Sequence, residues 1–195
     1  MNQNSISLPP NADEVRRSLL RKGILLIEGR VNQTMFDQVA GSLCQLEAAG
    51  SPDIEVRICS GGGDCHFGFA IYDLLKYYKG AKRGVVVEKA NSMASVILQA
   101  CDARVMMKYA VMFIHEPSRD FSLTVLENQK RLKQRIAELK IDRERMLEVY
   151  LSRGKASREE FLSRMRMDDN GLRGEDVSLR ADEALAFGLI DEIVI

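Results

Sequence analysis

The sequence predicts an α/β fold with a largely parallel sheet. Short apolar runs typical of buried strands alternate along the chain with segments whose apolar residues recur at helical spacing. Turns rich in glycine or small polar residues join these segments. Repeated strand, turn and helix is the pattern of parallel sheets, in which functional groups collect at the turns that follow the strands. We therefore expect the active residues at those turns.

The composition favours one globular domain and gives no sign of a nucleic-acid partner. The chain has 195 residues, with 28 Lys and Arg against 28 Asp and Glu, so its formal charge is zero and nucleic-acid binding is disfavoured. The 4 cysteines form no CxxC pair, and the first residues lack the basic and then apolar pattern of a signal peptide. No apolar run approaches the roughly 20 residues that span a bilayer. The sequence therefore predicts a cytoplasmic protein that binds neither membranes nor nucleic acid.

The elements of the N-terminal half follow in order. Residues 1–22 are predicted to form an N-terminal arm, and residues 23–195 the domain. In the domain, "GILLIEG" has the pattern of a buried strand, "TMFDQVAGSLCQLEAAG" that of a helix ending at Gly50, and "IEVRI" that of a second strand. The glycine turn "SGGGD" then leads into a helix predicted from Phe67 to Tyr78.

The C-terminal half contains further strands and an unusually long helix. "GVVVE" predicts a third strand, "KANSMASVILQA" a turn and helix, and "ARVMM" and "VMFI" two strands that end before His115. A charged helix is predicted over about 122–152, well beyond the average of about 11–12 residues. Its apolar positions form one stripe, comprising Leu132, Ile136, Leu139, Met146 and Tyr150. Ser157 and Glu160 form a capping box for a shorter helix, and "RADEALAFGLIDEIVI" predicts a last helix and strand.

The three glycines Gly61, Gly62 and Gly63 stand between a strand and a helix. A phosphate-binding loop would need a lysine and a hydroxyl after its glycines, and a dinucleotide fingerprint would need GxGxxG spacing; "SGGGDCHFG" has neither. Glycines there permit either a tight turn with close packing or the donation of backbone N–H groups to a developing negative charge.

Ser92 begins a predicted helix directly after a buried strand, in "VVVEKANSMAS". Such a serine either caps the helix or forms a nucleophile elbow, which exposes its hydroxyl and presents the amide of the next residue, Met93. A serine nucleophile needs a base. The chain has 2 histidines: His66 has the position of a helix surface residue, and His115 lies at the end of a strand. His115 is therefore the candidate base.

The side chains near the glycine turn could also bind a metal. Cys59, Cys65 and His66 lie close in sequence, but their spacing matches no usual zinc pattern, and free cysteines often act as small apolar residues. We therefore predict no metal and no cofactor.

Four segments, in the same order, resemble the Clp protease proteolytic subunit family of serine peptidases. "ICSGGGDCHFGFAIYD" is similar to the family's Asn-Ser-Pro-Gly-Gly-Ser segment and following helix, and "ANSMAS" to its nucleophile motif. "MFIHEP" is similar to the Met-Ile-His-Gln-Pro motif, and "DVSLRADEALAFGLID" to the segment that carries the catalytic aspartate. The resemblance implies the spiral of repeated ββα units that this family shares with crotonases, with a long protruding handle helix.

The resemblance also implies a set of site residues. Ser92 matches the nucleophile, His115 the general base, and Asp176 the carboxylate that orients the histidine. Gly63 and Met93 match the donors of the backbone amides that form the oxyanion hole. The expected activity is therefore that of a serine endopeptidase with a Ser-His-Asp triad.

The sequence departs from the family pattern at several places. Gly61 stands where the family has proline, Asn91 where it has alanine, and "EPSRDFSLT" where a glycine pair follows the histidine. The stretch "RMRMDDNGLRGEDV" is longer than in the family, so that Asp168 and Asp169 are alternatives to Asp176. Asp176 is preferred because its distance from "ADEALAFGLID" fits the motif.

The partners implied by the resemblance are unfolded polypeptide substrates, an AAA+ ATPase unfoldase and further copies of the chain. The copies would form a heptameric ring, single or paired, that encloses the active sites. The alternatives are a crotonase-type acyl-CoA enzyme, a Ser-Lys peptidase with Lys89 or Lys108 as base, and a non-catalytic ring scaffold. Labelling of Ser92 by a fluorophosphonate would distinguish a serine peptidase from a crotonase or a scaffold.

Overall fold

The computed structural model describes residues 11–118, 129–166 and 178–194. The described strands are β1 Ile24–Val31, β2 Ile54–Gly63, β3 Lys82–Asn91, β4 Ala103–Met107, β5 Val111–Phe113, β6 Ser178–Arg180 and β7 Glu192–Val194. The described helices are α1 Ala12–Leu20, α2 Gln33–Ala48, α3 Cys65–Tyr77, α4 Met93–Leu98, α5 Gln129–Arg153, α6 Arg158–Met165 and α7 Ala181–Ala186.

The strands form one mixed sheet with helices packed against it. Its main path runs β1-β2-β3-β4-β7 with all neighbours parallel, while β5 pairs parallel with β3 beyond the part of β3 that β4 covers. Strand β6 is antiparallel to β5. The predicted α/β fold with a largely parallel sheet is therefore confirmed.

A continuous apolar core lies between the sheet and the helices. Its fully buried members come from strands and helices alike, and they include Ile27, Ile58, Ile71, Ile97 and Met106. At roughly 1.5–3 kcal/mol for each large apolar side chain removed from water, this core supplies the main driving force for folding. It also fixes how β2, β3 and β5 lie beside one another, which positions the site described below.

Two segments differ from the sequence prediction. Helix α3 begins at Cys65, before the predicted Phe67, because the carboxylate of Asp64 accepts the N–H groups of His66 at 2.8 Å and Phe67 at 3.3 Å. Residues 12–20, which the sequence assigns to the N-terminal arm, form α1.

The long helix is described from Gln129 to Arg153; the start predicted near residue 122 lies outside the described residues. Its two ends differ in burial. Leu132, Ile136 and Ile141 are 40%, 44% and 52% exposed, whereas Met146, Leu147 and Tyr150 are buried. The C-terminal turns therefore pack on the domain, and the described N-terminal turns leave apolar side chains in solvent. None of the described helices combines the length and apolar content that a membrane span requires.

Candidate active site

Ser92 lies on a strained turn between β3 and α4. Its backbone has φ 54° and ψ −125°, a conformation that residues with a Cβ rarely adopt. Its hydroxyl accepts no hydrogen bond from the N–H groups of α4, all of whose residues are described. The helix-cap interpretation is therefore wrong for this side chain. Backbone strain of about 1–3 kcal/mol persists only where the surroundings impose it, and a sharp strand-to-helix turn of this kind exposes a serine hydroxyl.

Two residues form hydrogen bonds with Ser92, and a third residue supports one of them. The N–H of Ser92 donates to the carbonyl oxygen of Phe113 at 2.6 Å, and its own carbonyl oxygen accepts the hydroxyl of Ser95 at 2.6 Å. The Ser95 oxygen lies 2.8 Å from the hydroxyl of Tyr150 in α5. Because Ser95 has one hydroxyl proton and donates it to Ser92, Tyr150 is the donor of that second bond. Burial raises the pKa of Tyr150, so that its hydroxyl keeps this proton.

His115 follows β5 at the same end of the sheet. Strands β3 and β5 run parallel with Asn91 opposite Phe113, so that the residues that follow each strand emerge side by side. The His115 side chain is buried, and its ring stacks on that of Phe113 with centroids 4.8 Å apart. The sheet therefore brings the predicted nucleophile and the predicted base to neighbouring strand ends.

The segment after His115 is anchored to two helices. The N–H of Glu116 donates to the carbonyl oxygen of Met165 in α6 at 2.9 Å, and its carboxylate accepts Arg143 Nη1 of α5 at 3.3 Å. These contacts fix the chain directly beyond the histidine. The three candidate carboxylates, Asp168, Asp169 and Asp176, lie outside the described residues.

Two glycines of the predicted turn touch neighbouring backbone. Gly62 has φ +82°, and a Cβ on it would lie 2.5 Å from the carbonyl oxygen of Asn91, 2.7 Å from Cβ of Ser92 and 3.0 Å from the nitrogen of Met93. Gly63 has φ +153°, and a Cβ there would overlap the carbonyl oxygen of Val31. Gly61 has nothing within 4 Å of the position of a Cβ. Close approach to the Ser92 turn therefore explains Gly62, and contact with β1 explains Gly63.

The backbone amides of this turn have different partners. The N–H of Gly62 donates to the hydroxyl of Ser60 at 3.1 Å, and the N–H of Asp64 donates to Val31 at 2.9 Å. The N–H of Gly63 lies between those of Gly62 and Asp64 in the chain, directly after the glycine whose Cβ position touches Asn91 and Ser92. Met93 is the first residue of α4, where amides have no intrahelical partner. These two amides are the candidate donors to a substrate oxygen.

The lysine alternative has less support. Lys89 lies 3.1 Å from the carboxylate of Glu88, and that hydrogen bond raises the pKa of the lysine, which makes it a poor base at neutral pH. Lys108 contacts the exposed ring of Tyr109, 5.7 Å from its centroid, in the turn between β4 and β5.

The residues considered for zinc do not come together. Cys59 contacts Glu88, with Sγ 2.9 Å from Oε2, while His66 is exposed on α3 beside Phe67. Within the described ranges, no group of three or more His, Cys, Asp or Glu side chains could hold a metal.

Sequence reasoning missed the residues that support the site. Ser60, Ser95 and Tyr150 each take part in the hydrogen bonds around the Ser92 turn, yet none stood out as a candidate. The available signal was weak: Ser60 precedes the glycines and Ser95 follows Ser92 by three positions. The partners of these hydroxyls are visible only in the fold.

Comparison with known proteins gives consistent matches over nearly the whole chain. The family model described as Clp protease matches residues 9–195. The ATP-dependent Clp protease proteolytic subunit of Deinococcus radiodurans is 26% identical over 184 residues, which cover 93% of this chain and 84% of that protein. Among solved structures, a ClpP1 mutant from Listeria monocytogenes matches with a TM-score of 0.75 at 22% identity, covering 92% of this chain and 95% of that one. The structural match is a likeness of fold.

Proposed function

The chain belongs to the Clp protease family, which consists of serine-type peptidases, and from this membership we propose that it hydrolyses peptide bonds with a triad of Ser92, His115 and Asp176. The observation that carries the proposal is the Ser92 turn, which is strained at φ 54°, does not cap its helix and lies against Gly62. A structural serine would gain nothing from this conformation, whereas a nucleophile needs its exposed hydroxyl.

The proposed reaction assigns a role to each of these groups. His115 accepts the hydroxyl proton as Ser92 Oγ attacks the carbonyl carbon of a peptide, and the oxygen that becomes negative accepts hydrogen bonds from the amides of Gly63 and Met93. The C–N bond then breaks, His115 returns the proton to the leaving amine, and an ester on Ser92 remains. Water hydrolyses this ester by the same steps, with His115 again as the base.

Position in the chain supports Asp176 as the third member. Strand β6 is antiparallel to β5, and Ser178, its first residue, lies opposite Phe113, two residues before His115. Strand β6 thus begins beside the strand that leads to His115. Asp176 precedes this start by two residues, whereas Asp168 and Asp169 precede it by ten and nine. We therefore propose that Asp176 accepts a hydrogen bond from His115 and stabilises its charged form.

The assembly is also a proposal. The exposed apolar side chains along the N-terminal turns of α5, which include Leu132, Ile136 and Ile141, favour burial against further copies of the chain. By family membership we propose a ring of subunits, heptameric and single or paired, whose chamber encloses the active sites. The Deinococcus radiodurans relative is named as ATP-dependent, which supports an AAA+ ATPase that delivers unfolded polypeptides to this chamber.

Replacement of Ser92 tests the proposed function. We expect Ser92→Ala to reduce kcat for a small fluorogenic peptide by several orders of magnitude and to abolish covalent labelling by a fluorophosphonate. Ser152→Ala is the matched control, because that hydroxyl donates only to the carbonyl oxygen of Val149 on the surface of α5. Failure of the wild-type protein to be labelled would favour a crotonase or scaffold, and labelling of Ser92→Ala would refute the assignment of the nucleophile.

A further inference from the structure

Ser60 is a fully buried serine whose hydroxyl joins two backbone segments beside the active site. Its Oγ donates to the carbonyl oxygen of Gly29 at 2.6 Å and accepts the N–H of Gly62 at 3.1 Å. The donor proton and one acceptor site of the hydroxyl are thus both occupied by backbone. This side chain touches neither Ser92 nor His115 through any hydrogen bond described for it, so a role would act through Gly62.

The Ser60 hydroxyl forms its hydrogen bonds at a point where the pairing of β2 with both of its neighbours, β1 and β3, is irregular. Pairing of β1 with β2 shifts between Glu28 and Arg30, where Gly29 has φ +83°. Pairing of β2 with β3 shifts just before Ser60, which lies opposite Ala90, two residues before the nucleophile. At such bulges backbone groups lose their ladder partners, and a side chain can supply the missing hydrogen bond.

The bond to Gly62 also determines which amide is available to a substrate. Since Ser60 occupies the N–H of Gly62, that amide cannot serve in the oxyanion hole, and the candidate donor from this turn is the next amide, that of Gly63. We propose that Ser60 is a positioning residue for the oxyanion hole, holding the glycine turn so that the Gly63 amide points at the substrate oxygen. This inference rests on the proposed function of the site.

Loss of the Ser60 hydroxyl should destabilise the transition state more than the bound substrate. Glycines have an unusually free backbone, and without the Ser60 hydroxyl Gly62 loses the bond that holds its amide. An oxyanion hole works because its donors are already in place when charge develops. A displaced donor weakens binding of the charged intermediate more than binding of the neutral peptide. We expect kcat to fall by about 10- to 100-fold, with KM nearly unchanged.

The test compares Ser60→Ala and Ser60→Cys with wild type and with Ser152→Ala. The cysteine variant fills the position with a slightly larger sulfur atom that forms only weak hydrogen bonds, so that loss of hydrogen bonding is separated from a cavity. Measurements are kcat and KM for a fluorogenic peptide, the inhibition constant of a peptide boronic acid, and thermal unfolding. The boronic acid forms a tetrahedral adduct with a serine hydroxyl and places an oxygen where the oxyanion would lie. We expect its affinity to fall by the same factor as kcat in both Ser60 variants.

The outcomes separate this inference from the proposed function. If Ser60→Cys unfolds at a lower temperature but retains wild-type kcat and boronate affinity, Ser60 is structural and the inference is wrong. A loss confined to KM would also refute it. If instead Ser92→Ala retains activity, the proposed function itself fails, whatever Ser60 does.

Discussion

Replacing Gly62 by alanine should inactivate the enzyme, whereas the same replacement at Gly61 should not. A Cβ on Gly62 would lie 2.5 Å from the carbonyl oxygen of Asn91 and 2.7 Å from Cβ of Ser92, at a residue with φ +82°. Contacts below 3 Å between such atoms require a shift, and here the neighbour is the backbone of the nucleophile turn. Gly61 has nothing within 4 Å of the position of a Cβ.

The cost can be estimated from two independent effects. A residue with a Cβ in the left-handed region costs about 1–2 kcal/mol, and overpacking in a tight site costs about 1–3 kcal/mol. The free energy of unfolding should therefore fall by about 2–5 kcal/mol, out of the roughly 5–15 kcal/mol typical of a domain. For a chain of this length that lowers Tm by about 4–20 °C, and a domain of average stability stays folded. A displacement of Ser92 of several tenths of an ångström to 1 Å should reduce kcat by about 100-fold.

The assay is hydrolysis of a fluorogenic peptide, with fluorophosphonate labelling to count reactive serines and thermal unfolding to measure stability. For Gly61→Ala we expect wild-type kcat and a Tm that is equal or slightly higher, because alanine reduces the freedom of the unfolded chain. Wild-type turnover by Gly62→Ala would show that close approach to Ser92 is not required. Equal inactivation by Gly61→Ala would show that the argument from contacts is wrong.

Three further predictions concern the base, the assembly and stability in acid. Activity should increase with pH across the range in which histidine side chains lose their proton, around pH 6.5. His115→Gln should remove nearly all peptidase activity. A flat pH profile would contradict the role of His115 as base. Charged residues introduced into the apolar stripe of α5 should separate the subunits, because each change removes about 1.5–3 kcal/mol of apolar burial at the interface. Circular dichroism should show that the fold is intact. Light scattering that finds wild-type monomers at micromolar concentration would refute the assembly. The positions to change are the two exposed members of the stripe, Leu132 and Ile136. Arg104 Nε lies 3.0 Å from Oδ2 of Asp191, and the hydrogen bonds from this arginine lower the pKa of Asp191. The carboxylate therefore contributes its full stabilisation above the ordinary aspartate pKa of about 3.9. That contribution is lost as the pH falls through the lowered pKa. Asp191→Asn should therefore lower Tm at pH 7 more than at pH 3, and an equal loss at both pH values would contradict this linkage.

Much of the candidate site could be predicted because its signals are local. The strand pattern before Ser92 and the helical pattern after it predict a turn there, and the end of an apolar strand places His115 at a strand terminus. The start of α3 was predicted less well, because the Asp64 cap depends on a side-chain hydrogen bond that apolar periodicity does not register. Asp176 stays a prediction that rests on the family pattern and on the pairing of β6 with β5.

The sequence by itself predicted the order of the strands and helices after the N-terminal arm and the two turns of the candidate site, since periodicity and turn composition act over a few residues. It also singled out Ser92 as the candidate nucleophile, through the turn pattern and the family motif. Only the tertiary structure decided which glycines are required and which hydroxyls hold them in place. Gly62 needs its small size because of Asn91 at the end of β3 and Ser92 just beyond it, and Ser60 donates a hydrogen bond to Gly29, 31 positions away in the chain. Contacts of this kind depend on the register of β1, β2 and β3 with their bulges, which packing of the whole core sets and no short segment contains.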